Sequence, residues 1–347
     1  MSTMRTAISN FCTELGQDPS LVQGAGGNVS WKQDNTLWVK GSGTWLANGD
    51  TEDIFVPVDL DAIRTALENR NLDITPRVIG EHPLKPSIET ILHGIMPHRV
   101  VIHLHAIDML RILVRVHSRE LINLLFNEPV LLGISYTYIP YRKPGLDLAN
   151  AIFSALQNQA SVDVILLQNH GIVLGADSVE GIKNILKRLN KACLDFEHQL
   201  HLVQIPDKNP ITAIPSPPSH SLIPFPDLEL QALALEPSLF KRLKDDWVLY
   251  PDHAVFLGAK AMTFPSLDHL AAWQTDYDLP ELVFIENTGV FMQANLNQAK
   301  QIQLRCYYDV ISRIGSDTDL QPLSQAEIDA LLNWDAEKLR QQMAAVK

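Results

Sequence analysis

The sequence predicts an α/β protein built as a layered sheet, and three observations lead there. Short runs rich in β-branched residues, such as Val100-Val101-Ile102-His103-Leu104-His105, alternate with segments whose apolar residues recur at helical spacing, such as Val179–Leu200. Gly-rich turns separate these segments, and alternation of strands with helices is the pattern of a sheet covered by helices. Finally, 347 residues with 46% apolar and 20% charged side chains suffice for a real core, in one large domain or two modest ones.

Taken in order, Thr36–Val39 reads as a strand after a Gly-rich turn and Leu60–Asn69 as a helix. Pro97-His98 is a turn feeding the run from Val100 to His105. Val162–Leu167 is an apolar strand, followed by a turn at Asn169-His170-Gly171, a second short strand and the helix Val179–Leu200. The main break is Ile205–Asp227, with seven prolines in 23 residues, few of them compatible with a helix or a central strand. Such a segment reads as an extended, semi-rigid linker. The expected organisation is therefore residues 1–204, a proline-rich linker over 205–235, and a smaller C-terminal α/β domain over 236–347.

Beyond the linker an echo occurs. Leu282–Gln301 (LVFIENTGVFMQANLNQAKQ) runs parallel to Val164–Lys183 (VILLQNHGIVLGADSVEGIK), each reading as strand, polar pair, x-Gly, strand, turn and helix. The identities are few: Asn169 with Asn287, Gly171 with Gly289, Ala176 with Ala294. If the echo is a repeat, the C-terminal domain is a degenerate copy in which Thr288 stands in place of His170 and no second H-x-H occurs. The chemistry then belongs to the first domain.

A formal net charge of −12 argues against a nucleic-acid binder, which normally carries a basic stripe. The scattered cysteines Cys12, Cys193 and Cys306 lack C-x-x-C spacing, which favours a reducing compartment over a disulfide framework. Neither a signal peptide nor a run of roughly 18 apolar residues is present, so the expectation is a cytoplasmic protein without a membrane span.

His103 and His105 flank Leu104 in a strand, where alternate side chains share a face, so both rings can grip one metal. Packing of the two rings on one sheet face is the competing reading. His170 adds a third imidazole at a strand-to-turn corner, and three histidines leave one tetrahedral position open, as a catalytic zinc requires. Glu89, near a helix start at Pro86-Ser87, is the candidate general base; an acid there could equally serve as a favourable first-turn residue. His93, four residues on, could orient Glu89. His82, His98, His117 and His253 read as surface or structural. Two small-residue loops, Gly24–Ser30 and Lys40–Thr44, surround one strand and can form an anion cradle from their backbone amides. Neither is a dinucleotide fingerprint, because Val29 stands where G-x-G-x-x-G needs glycine.

The stretches GAGGNVS (24–30), KGSGT (40–44), PSIE (86–89), HLH (103–105), PY-x-x-PG (140–145) and LLQNHG (166–171), in this order, resemble the class II aldolase/adducin family. The layout is similar to the aldolase half of bifunctional aldolase/short-chain dehydrogenase proteins. The resemblance implies a layered α/β/α domain with a central, mostly antiparallel sheet. It implies zinc, or another divalent metal, on His103, His105 and His170, with Glu89 as acid/base. It places Gly27, Asn28, Gly43, Thr44 and Ser87 against a substrate phosphate. The implied protein is a homo-oligomer, a tetramer by family likeness. It would cleave or form a carbon–carbon bond of a hydroxy-carbonyl sugar or sugar phosphate through a metal-stabilised enediolate. Three features depart from the family: Ile88 replaces a phosphate-binding serine, the segment from Glu89 to His103 is shorter, and Leu124 stands in the register of the family's tyrosine.

Alternatives on the same fold are an epimerase or decarboxylase using the same chemistry, and an adducin-like binding module, which would have lost the metal histidines. A cupin-like iron oxygenase is all-β, and the helical segment Val179–Leu200 counts against it.

Overall fold

A computed structural model describes residues 3–157, 159, 161–200, 221–338 and 341, without the side chains of residues 3 and 197–200. Most of the proline-rich segment and the chain's last residues lie outside that set. The first half runs α1 (Thr3–Gly16), β1 (Asn28–Gln33), β2 (Thr36–Lys40), β3 (Phe55–Asp59), α2 (Leu60–Glu68), α3 (Thr90–Ile95), β4 (Val100–Leu104), α4 (Ile107–Leu113), α5 (Ser118–Leu125), β5 (Tyr136–Ile139), α6 (Leu146–Leu156), β6 (Val164–Leu167), β7 (Gly171–Ala176) and α7 (Val179–Leu200). Its seven strands form one sheet in the order β3-β2-β1-β4-β7-β6-β5. All neighbours are antiparallel except β5 with β6.

The alternation of strand side chains sets the layers. Along β4, Val100, Ile102 and Leu104 pack with Phe11 of α1, Met109 of α4, Ile122 of α5 and Leu189 of α7. Val101 faces the other way, with Leu92 of α3 and Ile152 of α6. The result is a helix–sheet–helix sandwich. Local chemistry sets the element ends: the Asp59 carboxylate accepts the Ala62 N–H and so caps α2 at the residue where β3 stops.

The second half runs β8 (Ile223–Pro224), α8 (Ala232–Leu235), α9 (Pro237–Asp245), β9 (Thr263–Phe264), α10 (Leu267–Trp273), β10 (Leu282–Ile285), β11 (Gly289–Met292), α11 (Gln298–Ile311) and α12 (Gln325–Leu332). Residues 223–235, which composition places at the end of the linker, thus carry β8 and α8. The second sheet has the order β8-β11-β10-β9, antiparallel, antiparallel, then parallel. That is the arrangement of β4-β7-β6-β5, with helices inserted at the same places. The hairpins also share register: Leu167 pairs with Gly171, and Ile285 with Gly289. Their turns agree in backbone conformation, with φ of 52° at Asn169 and 55° at Asn287.

The two halves share a core through α4. Met109, Ile112 and Leu113 belong to the first cluster, whereas Ile107 and Leu110 pack with Leu233, Phe284, Leu304 and Tyr307 of the second half. The apolar residues of α4 thus cover two faces, one for each core. Leu110→Ala, at a fully buried position, is expected to cost about 2–5 kcal/mol. Chemical denaturation followed by circular dichroism should show both halves unfolding in one transition at lower denaturant; two separate transitions would contradict a shared core.

Candidate metal centre

The site lies at one end of the first sheet, where β4 finishes and β1 and β7 begin. The β1–β4 register sets Asn28 opposite His103, and the β4–β7 register sets His103 opposite Val173. β4 ends at Leu104, so His105 is the first residue beyond the strand rather than part of it. The two rings nevertheless converge, with Nε2 atoms 3.2 Å apart. His170 enters from the turn between β6 and β7. Gly171, with φ of 154°, lets that turn approach β4: a Cβ there would lie 2.3 Å from the Leu104 carbonyl oxygen. Among the described residues, His103, His105 and His170 form a buried group whose ligand nitrogens lie within 4.8 Å of one another.

The donor set fits a divalent cation. His103 Nδ1–H donates to the Ile172 carbonyl at 3.0 Å, the tautomer in which a neutral ring presents its Nε2 lone pair. A tetrahedral centre with bonds near ~2 Å has ligand atoms roughly 3.3 Å apart, close to the His103–His105 separation. The sheet-packing alternative offers no reason for three imidazoles to aim their nitrogens at one point.

Glu89 is buried and lies 3.6 Å from both His103 Nε2 and His170 Nε2. The helix begins at Thr90, two residues later than a cap at Ser87 would set it, and Glu89 is its N-cap without a side-chain capping bond. Its carboxylate turns inward instead: Asn28 Nδ2 donates to Oε2 at 2.8 Å, and Oε1 has no hydrogen bond among the described residues. The capping explanation of this residue therefore fails. Ser87 Oγ accepts the Glu89 N–H at 3.2 Å, fixing the turn that aims the acid.

The cleft encloses about 450 Å³ of non-protein space. Gly27, Asn28, Gly43 and Ser87 line it, together with Ile88. Thr44 does not: its hydroxyl donates to the Gly41 carbonyl at 2.7 Å, and Ser42 faces the cleft in its stead. Lys40, buried at the end of β2, adds a cation to the lining and donates to the Ala25 carbonyl. Sequence reasoning quoted it only as the start of a loop.

The far wall comes from the second half. Pro251, Asp252 and Glu337 line the cleft, and Asp252 Oδ2 lies 3.5 Å from His105 Nδ1. Asp252 and Glu337 sit in PDH (251–253) and NWDAEKLR (333–340), stretches that carry a weaker likeness to the aldolase half of the bifunctional proteins, but sequence reasoning assigned neither acid to the site, since their partners are distant in sequence. His253, read from the sequence as surface or structural, is fully buried, its ring centroid 3.7 Å from that of Tyr250 with the planes tilted by 45°. His93 does not orient Glu89; its Nδ1 pairs with Ser30 Oγ at 2.8 Å. Asn169 explains the asparagine of LLQNHG. Its amide donates to the Leu249 and Gln321 carbonyls and pins the second half to the corner that carries His170.

Burial pushes His93 and His253 down from 6.5 to about 3, so both rings are neutral in the fold. The sign follows: their stabilising effect is complete above pH 6.5 and is lost as pH falls from 6.5 towards 3. At pH 5 each ring is expected to cost about 2 kcal/mol relative to pH 7. Denaturant melts of His253→Gln should show a shallower acid slope than the parent; parallel slopes would refute this.

The family profile described as the class II aldolase and adducin N-terminal domain matches residues 6–194. The uncharacterized oxidoreductase YuxG of Bacillus subtilis (strain 168) is 26% identical over 183 residues, which cover 48% of this chain and 25% of that protein. The chain thus spans about a quarter of that relative's length. Among solved structures, the N-terminal class II aldolase domain of a conserved Thermoplasma acidophilum protein is 24% identical. That alignment covers 57% of this chain and 94% of the other, at a TM-score of 0.45. A sugar-phosphate aldolase from Thermotoga maritima is 15% identical, covering 58% and 97% respectively, at 0.47. With more than half of its length matched by the profile, and the motif-bearing residues gathered at one sheet end, this chain belongs to the class II aldolase/adducin family.

Proposed function

We propose that the chain is a metal-dependent aldolase, a lyase that cleaves or forms a carbon–carbon bond in a hydroxy-carbonyl sugar or sugar phosphate. One observation carries the reading: a buried carboxylate with an open oxygen lies 3.6 Å from two of three converging imidazole nitrogens, inside a cleft. His103, His105 and His170 would hold the ion, zinc in our reading. When bound, it supplies fixed positive charge for the oxygens on which negative charge develops.

The protein's own groups do the rest. Asn28 holds Glu89 Oε2, which leaves Oε1 as the atom that carries the proton. In the bond-forming direction Glu89 takes a proton from the carbon beside the carbonyl; in cleavage it returns one to the same carbon. The Ser42 hydroxyl, Lys40 and the Gly27 and Gly43 backbone offer donors for the anionic or hydroxylated tail of the substrate. Ile88 takes one serine donor out of that set, so a weakly charged tail is accommodated as well as a phosphate.

The test is a retro-aldol screen of ketose sugars and their phosphates with metal-loaded and chelator-stripped protein, reading aldehyde release. Metal-dependent release from at least one member is expected. Epimerised or decarboxylated product without cleavage would move the reaction to the alternative chemistry, and no turnover by fully loaded protein would sink the proposal.

A further inference from the structure

We infer that Asp252, supplied by the second half of the chain, is a positioning residue for the metal centre: it holds the proton of His105 on Nδ1 and thereby presents Nε2 to the ion. The inference rests on the metal-site reading above and adds a dependence of that site on the second half.

Two imidazoles whose Nε2 atoms lie 3.2 Å apart have, in their neutral forms, two choices. One ring can donate an Nε2–H to the other, which closes the site with a hydrogen bond. Alternatively, both can carry their protons on Nδ1, so that two lone pairs face a common point and only a cation relieves them. His103 is already committed, since its Nδ1–H donates to the Ile172 carbonyl. The state of the site therefore depends on His105. A carboxylate 3.5 Å from His105 Nδ1 favours the proton on that nitrogen.

Asp252 is built in for the purpose. It is 1% exposed and is the N-cap of the short π-helix His253–Leu257. Gln303 Nε2 of α11 donates to the same oxygen at 3.4 Å, while Gln303 Oε1 accepts the Tyr250 hydroxyl at 2.8 Å. The segment is pinned from the other side by the Asn169 amide on the Leu249 carbonyl. Packing around the pair is close: a Cβ at Gly26 would sit 3.3 Å from His105 Nδ1 and 3.4 Å from Asp252 Oδ2. The helix that corresponds to α7 in the second half thus reaches the metal centre of the first through Gln303 and Asp252.

The experiment uses the full chain, stripped of metal and titrated with cobalt(II), whose visible bands report both affinity and geometry. Asp252→Ala is expected to weaken cobalt binding about 10- to 100-fold. Asp252→Asn, which keeps the shape and one acceptor oxygen, should fall between Asp252→Ala and the parent. Side-chain ¹⁵N shifts of the metal-free protein should show His105 protonated on Nδ1 in the parent and on Nε2 in Asp252→Ala, a change that a merely structural role would not produce. If Asp252→Ala does not fold, the affinity and tautomer of Asp252→Asn decide alone. Binding within twofold of the parent with an unchanged tautomer overturns the inference. A parent chain that binds no cobalt overturns the metal reading and this inference with it, whereas a chain that binds cobalt but cleaves no sugar leaves only the aldolase reaction refuted.

Discussion

Replacing any one of His103, His105 and His170 by alanine is expected to abolish stable metal binding and, with it, turnover. The physical basis is the count of ligands. Three imidazoles plus one open position make a catalytic site, while two imidazoles in a buried cleft leave the ion without enough donors to offset its lost hydration. The effect should be near total for each residue, because the three nitrogens form one group within 4.8 Å. Metal content by mass spectrometry after dialysis should fall from about one ion per chain towards none. Thermal melts of the metal-free proteins should shift far less, since the core of the sheet does not depend on the rings. Undiminished metal in all three variants would end the assignment.

Glu89→Gln should separate proton transfer from metal binding. The amide keeps the size of the carboxylate and an oxygen for Asn28 Nδ2, so both the 2.8 Å contact and the fold survive. What is lost is a group able to take up a proton at the open oxygen. General acid–base groups of this kind contribute about 10²–10⁴ in rate. Turnover should drop by that factor with metal content unchanged, and deuterium exchange at the carbon beside the substrate carbonyl should fall in parallel. A variant that exchanges deuterium at the parent's rate would show that another group carries the proton.

How much of this was legible differs by element. The strands and helices of the first half follow from local pattern, because β-branched alternation and helical periodicity are recorded in neighbouring residues: Thr36–Val39 appears within β2 and Leu60–Asn69 as α2. The echo between the halves was visible in only three identities, yet the strand order and the Asn169 and Asn287 turns repeat in three dimensions. A turn that demands positive φ and a close backbone approach retains Asn and Gly, while apolar strand residues interchange freely. β8, two residues long and containing Pro224, was hidden because composition alone makes such a segment a linker.

In the site, the H-x-H pair, His170 and Glu89 could be named from their residue types and their places at strand and helix ends. Each sits at a boundary that the local pattern marks. Whether Glu89 capped a helix or faced the histidines could not be decided locally, because both depend on where its side chain turns. That was settled by the β1–β4 register, which brings Asn28 to the carboxylate. Thr44 and Ser42 were indistinguishable in a Gly-rich loop until the turn committed the Thr44 hydroxyl to Gly41.

By itself, then, the sequence determined the layered α/β class, pointed to the family and named three histidines that the fold brings together, because these are written in short-range spacing and in motifs. Only the tertiary structure decided that the second half shares a core through α4 and closes the cleft with Pro251, Asp252 and Glu337. The reason is separation along the chain: His105 and Asp252 meet through the packing of two half-repeats, and no local periodicity carries a contact made between surfaces that only folding brings together.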